Sequence, residues 1–236
     1  MKKLVFDIGA NQGEYTDHVR KLYPGVHVVC VEPNLSLCNR LSSKYDASSV
    51  TVYHAAVSES EGLIEFHECS QDSSVSTVSK VFLEKSCFTT SEKIMSDGRT
   101  FKDHYNYNSP VIVRSITLDS LVGLHGTPDL IKLDVEGHEL NVIMGLSSKI
   151  PLITFEWHEE FKDRVLESID RLHSIGFTKF STEIWRSSID YHDREPIDSD
   201  YKTLQDFKTF FTESLALKES EVTRNYITRS GMIWSK

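Results

Sequence analysis

A glycine-spaced turn near the start of the chain constrains its fold most. An apolar run leads into Asp7-Ile8-Gly9-Ala10-Asn11-Gln12-Gly13, and a helix-forming stretch follows at 14–23. Gly9 and Gly13 can adopt backbone angles closed to other residues, so a ligand can approach the main chain at the helix N-terminus. The spacing matches neither the G-x-G-x-x-G fingerprint nor the G-x-x-x-x-G-K-[ST] phosphate loop. We therefore expect a strand, a loop and a helix that bind a nucleotide-like cofactor, with neither a pyrophosphate nor a triphosphate favoured.

Apolar runs alternate with segments of helical spacing along the first two thirds of the chain. The predicted strands are 4–8, 28–32, 51–57, 130–134 and 152–157, and the predicted helices are 14–23, 35–44 and 138–147. This alternation indicates βαβ units, and hence an α/β, Rossmann-like doubly wound and mostly parallel sheet. A helix over 161–174 and two strands over 177–185 and 226–234 should complete it. Ligands of such sheets bind at the carboxyl edge of the strands.

Length and charge limit the classes of function. The 236 residues fit one domain, 1–236, in which 68–110 and 186–224 are insertions that we expect to cover the site or an interface. For 186–224, a plain amphipathic surface helix through Phe207, Phe210, Phe211 and Leu215 is an equal alternative. The 35 acidic and 26 basic residues give a net charge of −9, which argues against a nucleic-acid partner.

The cysteine pattern and the hydropathy of the chain indicate its cellular compartment. The first apolar run stops at Asp7, too early for a signal peptide, and no run approaches a membrane span. The four cysteines show no C-x-x-C pairing or metal-ligand spacing, so reduced thiols are expected: Cys30, Cys38, Cys69 and Cys87. The sequence thus predicts a cytoplasmic protein with no membrane partner.

Three later segments carry a family resemblance. One is a buried strand that ends in Glu32, 19 residues beyond Gly13. The second is Leu130-Ile131-Lys132-Leu133-Asp134-Val135-Glu136-Gly137-His138-Glu139, and the third is Phe155-Glu156-Trp157-His158. With the glycine loop, they resemble the class I S-adenosylmethionine-dependent methyltransferases of the FkbM type, whose signature is D-L-x-K-x-D-V-E-G-x-E. The resemblance runs from about residue 4 to about residue 158.

The resemblance implies a seven-stranded sheet with an antiparallel C-terminal hairpin, S-adenosyl-L-methionine as cofactor, and a sugar, glycan or small-molecule hydroxyl as methyl acceptor. Glu32 would accept hydrogen bonds from both ribose hydroxyls. Asp7 would order the glycine loop or reach the cofactor amine through water, and Asn34 could instead cap the following helix. The predicted cofactor-binding residues are Asp7, Gly9, Asn11, Gly13, Tyr15, Glu32, Asn34, Ala56 and Asp134. The run 73–76 resembles an element that closes over the site, and an ordinary polar turn is the alternative.

Methyl transfer to a hydroxyl needs a group that removes or stabilises its proton. The candidates are Asp134 and Glu136 after one strand, and Glu156 and His158 at the end of the next. In the preferred hypothesis His158, with an ordinary pKa near 6.5, is a general base that Glu156 orients. In the alternative, Asp134, Glu156 and His158 hold a divalent metal ion. Glu136 could otherwise serve as a cap of the helix that follows.

Two other functions compete with the methyltransferase hypothesis. A nicotinamide-dependent oxidoreductase would also use an adenosine cofactor, but the missing G-x-G-x-x-G argues against it. A non-catalytic cofactor-binding module is disfavoured by the intact acids and His158. The sequence does not choose the acceptor or the oligomeric state.

Overall fold

The computed structural model describes residues 3–185, 200–216 and 230–236. Within these ranges the strands are β1 Leu4–Ile8, β2 His27–Glu32, β3 Val50–His54, β4 Ala56–Val57, β5 Gly62–Phe66, β6 Val111–Ile116, β7 Leu130–Leu133, β8 Ile153–His158, β9 Phe180–Trp185 and β10 Ser230–Ser235. The α-helices are α1 Glu14–Leu22, α2 Leu35–Lys44, α3 Lys80–Lys85, α4 Cys87–Thr90, α5 Phe101–His104, α6 Leu118–His125, α7 Glu139–Met144, α8 Lys162–Ser174 and α9 Leu204–Ala216.

The main sheet of the described residues has seven strands in the order β3-β2-β1-β7-β8-β10-β9. The first five strands are parallel, and β10 runs antiparallel to both β8 and β9. The strand order reverses direction at β1, where a doubly wound sheet places its ligand crevice. The predicted Rossmann-like fold with an antiparallel C-terminal hairpin is confirmed. Residues 226–229 of the last predicted strand lie outside the described residues.

The core explains why the central strands are almost continuously apolar. Helices cover both faces of a parallel sheet, so residues on both sides of each strand are buried. Phe6 and its register partner Ile131 are fully buried, as is Phe155 on β8. Each such side chain stabilises the fold by about 1.5–3 kcal/mol relative to exposure. The core thereby fixes the strand ends that carry the polar residues.

The predicted strand over 51–57 is wrong as a single element. The chain leaves the main sheet after β3, with the backbone N–H of Ala55 donating to the carbonyl of Glu32 at 3.2 Å. β4 then joins a second sheet of order β4-β6-β5. Both halves of the run are largely apolar, so periodicity does not reveal the change of sheet.

The two predicted insertions take different places. Segment 68–110 forms α3, α4, α5 and a 3₁₀ turn at Ser73–Val75, and it packs around the fully buried Phe82. The predicted helical pattern of the second segment is confirmed in α9. Phe207 and Phe211 are buried in the main core, and the Phe211 ring stands edge-on to Trp157 at 4.9 Å. Residues 186–199 and 217–224 lie outside the described residues. Among the described helices, none is both long enough and apolar enough to cross a membrane.

Candidate functional site

A cavity of about 670 Å³ opens at the carboxyl ends of β1, β2, β7 and β8. Its volume is in the range of small-molecule sites. Among the predicted site residues, those that line it are Gly9, Asn11, Tyr15, Glu32, Ala56, Asp134, Glu136, Glu156 and His158. The predicted residues Asp7, Gly13 and Asn34 lie beside the cavity without lining it. The cavity therefore joins the predicted cofactor residues to the predicted catalytic cluster.

Both loop glycines are required by packing as well as by backbone conformation. Gly9 has φ of 73°, and a Cβ there would lie 1.8 Å from the carbonyl oxygen of Asp134. Gly13 has φ of 81°, and its Cβ would lie 2.5 Å from the hydroxyl of Tyr45. Gly9 thus lets the β1 loop pass over the β7 end, whereas Gly13 fits the loop against α2 and its following residues. We expected both glycines to admit the cofactor, but Gly13 faces Tyr45 and not the cavity.

The close contact between Gly13 and Tyr45 predicts that Gly13→Val destabilises the protein. The substitution should lower the free energy of unfolding by roughly 2 kcal/mol or more, since it adds overpacking to backbone strain. Gly25→Val is the matched control, because Gly25 has φ of 87° and a Cβ there would meet no heavy atom within 4 Å. Urea unfolding of both variants measures the difference. Equal losses in the two variants would contradict the packing role of Gly13.

Glu32 fastens the glycine loop to the end of β2. Its Oε2 accepts a hydrogen bond from the backbone N–H of Asn11 at 2.9 Å, and its Oε1 accepts one from the N–H of Asn34 at 2.9 Å. Burial raises the pKa of Glu32 to about 7, although these two bonds oppose the shift. Each carboxylate oxygen retains acceptor capacity toward the cavity.

Asn34 is the N-cap of α2. Its Oδ1 accepts hydrogen bonds from the backbone N–H groups of Ser36 and Leu37 at 2.9 and 3.2 Å. Its Nδ2 donates to Glu68 at 2.6 Å. Of the two roles predicted for Asn34, the structure shows the cap.

Lys132 is a buried cation that sequence reasoning did not assign to the site. Its Nζ lies 3.1 Å from Asp134 Oδ2 and 3.6 Å from Asp7 Oδ1, and it donates to the carbonyl of Gly9 at 3.3 Å. Burial acts to lower the pKa of Lys132, but the two carboxylates outweigh it and raise that pKa. A lysine within the apolar run 130–134 was the available signal, since a buried lysine needs a charged partner.

Asp7 supports the loop from beneath it. The carboxylate is fully buried and accepts a hydrogen bond from Thr16 Oγ1 at 2.7 Å. Burial raises the pKa of Asp7, and Lys132 opposes this shift. These contacts place Asp7 where it orders the β1 loop and α1, which is the first of its two predicted roles.

Glu136, Glu156 and His158 form a buried cluster, called the acid–imidazole cluster below. His158 Nε2 lies 3.3 Å from Glu156 Oε2 and 3.7 Å from Glu136 Oε2. Glu156 and His158 are two residues apart on β8 and share one face, as strand periodicity predicts. Glu136 reaches them from the loop after β7 with a left-handed φ of 50°. Asp134 contacts Lys132 instead of His158.

Burial and mutual repulsion shape the protonation of the cluster. The pKa of Glu136 is raised well above its ordinary value by burial and by the carboxylates of Glu156 and Asp134. Burial and Asp134 also raise the pKa of Glu156 to about 7. For His158, burial acts to lower the pKa, but Glu156 outweighs it and raises the pKa to about 9. The ordinary pKa near 6.5 that the sequence suggests for His158 therefore does not apply in the folded protein.

A strap formed by residues 72–79 crosses the cavity and joins its two halves. Ser73 Oγ donates to Asn11 Oδ1 at 3.0 Å, on the cofactor side. On the cluster side, Thr77 Oγ1 donates to the carbonyl of Glu136 at 2.7 Å and Ser79 Oγ to that of Gly137 at 3.0 Å. The run 73–76 contains the 3₁₀ turn and lines the cavity. Sequence reasoning did not identify Thr77 and Ser79, whose partners lie 59 and 58 residues away.

The neighbouring acid and histidine of the β7 loop have structural contacts. Glu139 Oε1 accepts hydrogen bonds from the N–H groups of Val135 and Gly137 at 3.2 and 3.3 Å. His138 Nε2 lies 2.9 Å from Ser58 Oγ, outside the cavity, and burial lowers its pKa to about 4. These contacts hold the loop that presents Glu136.

Comparisons with known proteins define the class of the chain. A model of the methyltransferase FkbM domain matches residues 7–179. Because this match spans more than half of the chain, the chain belongs to the FkbM methyltransferase family. No curated protein matches the chain.

Several solved structures are similar at low identity. The methyltransferase FkbM from Methylobacillus flagellatus is 15% identical over 77% of this chain, with a TM-score of 0.48. The chain spans 40% of the length of that protein. Precorrin-6y C5,15-methyltransferase from Geobacter metallireducens is 11% identical over 100% of this chain and 80% of its own, with a TM-score of 0.42. A SAM-dependent O-methyltransferase from Thermotoga maritima is 10% identical over 99% of this chain and 59% of its own, with a TM-score of 0.40.

Proposed function

We propose that the protein transfers a methyl group from S-adenosylmethionine to a hydroxyl of a sugar, glycan or small-molecule acceptor. The observation that carries this proposal is the acid–imidazole cluster, which lines the same cavity as Gly9 and Glu32. A hydroxyl is a weak nucleophile, so its methylation gains from a group that takes up its proton. The ionised carboxylate of Glu156, whose pKa is about 7, and the neutral form of the His158 imidazole are the acceptors that the cluster provides for that proton.

The glycine-loop half of the cavity fits the cofactor. Gly9 approaches the β7 end so closely that a side chain there would strike the carbonyl of Asp134, and its backbone lines the cavity wall. Glu32 presents a buried carboxylate to this half, and Ala55, Ala56 and Val57 present small or apolar groups. In the proposal Glu32 binds the ribose hydroxyls and the apolar wall holds the adenine.

The remaining predicted residues complete the cofactor half. Asn11 and Tyr15 border it directly. Asp7, Gly13 and Asn34 act behind it by holding the loop, α1 and α2 in place. Lys132 sits between Asp7 and Asp134 and sets the position of the Asp134 carboxylate at the boundary of the two halves.

The cluster half receives the acceptor. When bound, the cofactor supplies an electrophilic methyl group on a sulfonium. The acceptor oxygen forms the new O–C bond as the S–C bond breaks, and the hydroxyl proton leaves at the cluster. The products are a methyl ether and the demethylated cofactor. In-line placement of the two reactants supplies much of the rate, and the strap of residues 72–79 closes over both of them.

The lining of the strap supports a polyol as the acceptor. Asp72, Ser73, Ser74, Ser76 and Thr77 border the cavity, and their oxygens can exchange hydrogen bonds with several hydroxyls. The net charge of −9 opposes strongly anionic acceptors such as nucleic acid.

Ligand binding is the first test of the proposal. Thermal-shift measurements should show stabilisation by S-adenosylmethionine and by its demethylated product, and none by NAD or ATP. Stabilisation by NAD instead would favour the oxidoreductase alternative. Methyl transfer to a panel of glycans and small alcohols, followed by mass spectrometry, then identifies the acceptor class. Transfer to amines alone would exclude O-methylation.

A further inference from the structure

We propose that Glu136, Glu156 and His158 bind one divalent cation at the end of the cavity. One donor atom from each residue lies within 4.8 Å of the others. The role of the ion, polarising the acceptor hydroxyl, rests on the proposed O-methylation. Binding of the ion does not depend on that proposal and can be measured separately.

The spacing of the donor atoms matches a single coordination sphere. His158 Nε2 lies 3.3 Å from Glu156 Oε2 and 3.7 Å from Glu136 Oε2. With metal–ligand bonds of about 2.0–2.2 Å, adjacent ligands of one ion are roughly 3–3.5 Å apart. Small side-chain adjustments therefore bring all three atoms onto one ion.

The same three atoms have unmet hydrogen-bonding capacity. Glu136 Oε2, Glu156 Oε2 and His158 Nε2 are buried and have no hydrogen-bond partner among the described residues. Each of the three residues is 8% exposed, and these atoms contact one another only as loose ion pairs. Buried polar atoms in proteins normally have a partner. A cation between them would satisfy all three at once.

Charge and access support the same assignment. The Lys132 ammonium pairs with the neighbouring carboxylate of Asp134 at 3.1 Å and not with the carboxylates of the cluster. Two carboxylates and one imidazole suit Mn²⁺, Fe²⁺ or Zn²⁺, and Mg²⁺ accepts the carboxylates. Since all three residues line the cavity, an ion held between them would lie at the wall of the half that receives the acceptor. The sequence had suggested Asp134 as a ligand, and the structure brings Glu136 to that place.

Titration with Mn²⁺, followed by electron paramagnetic resonance, tests the site in the full chain. We expect one tight Mn²⁺ site, whose dissociation constant rises about tenfold or more in Glu136→Gln, Glu156→Gln and His158→Ala. Glu167→Gln, on the exposed side of α8, is the matched control and should bind as the unmodified protein does. Circular dichroism confirms that each variant is folded.

A spectroscopic measurement keeps the test decisive if a variant fails to fold. Electron spin echo envelope modulation spectra of the Mn²⁺-loaded unmodified protein should show coupling to the ¹⁴N nucleus of a bound imidazole. Absence of that modulation, or equal Mn²⁺ affinity in all folded variants, would overturn the assignment. Methyl transfer that persists in chelator would remove the role of the ion in catalysis while leaving O-methylation intact. Mn²⁺ binding without any methyl transfer would leave the ion site and remove the proposed function.

Discussion

Replacement of His158 by Ala is expected to lower kcat by about a hundredfold or more while leaving the affinity for S-adenosylmethionine nearly unchanged. The residue lies in the acid–imidazole cluster, away from the glycine loop, so its loss removes proton uptake or cation binding and not cofactor contacts. Steady-state kinetics with the identified acceptor and calorimetry with the cofactor measure the two quantities.

His173→Ala is the matched control for this result. His173 is an exposed residue of α8, and its Nδ1 lies 3.0 Å from the carbonyl of Phe177. Its replacement should leave kcat within about twofold of the unmodified enzyme. A His158→Ala variant that turns over at the full rate would show that the chemistry lies outside the cluster.

Replacement of Glu32 by Ala is expected to weaken cofactor binding by roughly 1.5–3 kcal/mol, the scale of lost hydrogen bonds to a charged group. This corresponds to about a tenfold to a hundredfold rise in Kd. The carboxylate both faces the cavity and holds Asn11 and Asn34, so the loss has a direct and a positioning part. Calorimetry of Glu32→Ala beside the exposed-site control Glu167→Ala measures it. Unchanged affinity would remove Glu32 from the ribose site.

The pH dependence of cofactor affinity shows how much of the Glu32 contribution depends on the negative charge of its carboxylate. Burial raises the pKa of Glu32 to about 7 in the ligand-free protein. Below that pH the carboxyl is protonated and loses acceptor capacity, so cofactor affinity should fall as the pH drops through 7. Glu32→Gln should bind more weakly and lose this part of the pH dependence. An identical pH profile in both proteins would show that Glu32 does not titrate with cofactor binding.

The main sheet was predictable because burial on both faces makes its strands continuous apolar runs in the sequence. Strands such as β2 and β8 are buried on both faces and read as apolar runs between helix-spaced segments. The second sheet was not predicted. Most residues of its strand β5 and half of those of β6 are exposed, so neither strand forms a continuous apolar run. The break after β3 depends on partners in other strands, which local sequence does not contain.

The site residues that lie at the ends of strands could be predicted from the sequence. Glu32, Glu156 and His158 follow from an acid or imidazole at the end of an apolar run. The position of Glu136 depends on a left-handed backbone angle in the β7 loop, and the importance of Lys132 depends on Asp7, 125 residues away in sequence. The raised pKa of His158 likewise arises from neighbours that only the fold brings together.

The most direct test of the account is transfer of a trideuteromethyl group from labelled S-adenosylmethionine to a hydroxyl acceptor, followed by mass spectrometry and fragmentation of the product. We expect a methyl ether on a sugar or small-molecule hydroxyl, formed by the unmodified enzyme and by His173→Ala and nearly absent with His158→Ala. A label found only on nitrogen or carbon, or a labelled ether formed equally well by His158→Ala, would contradict it.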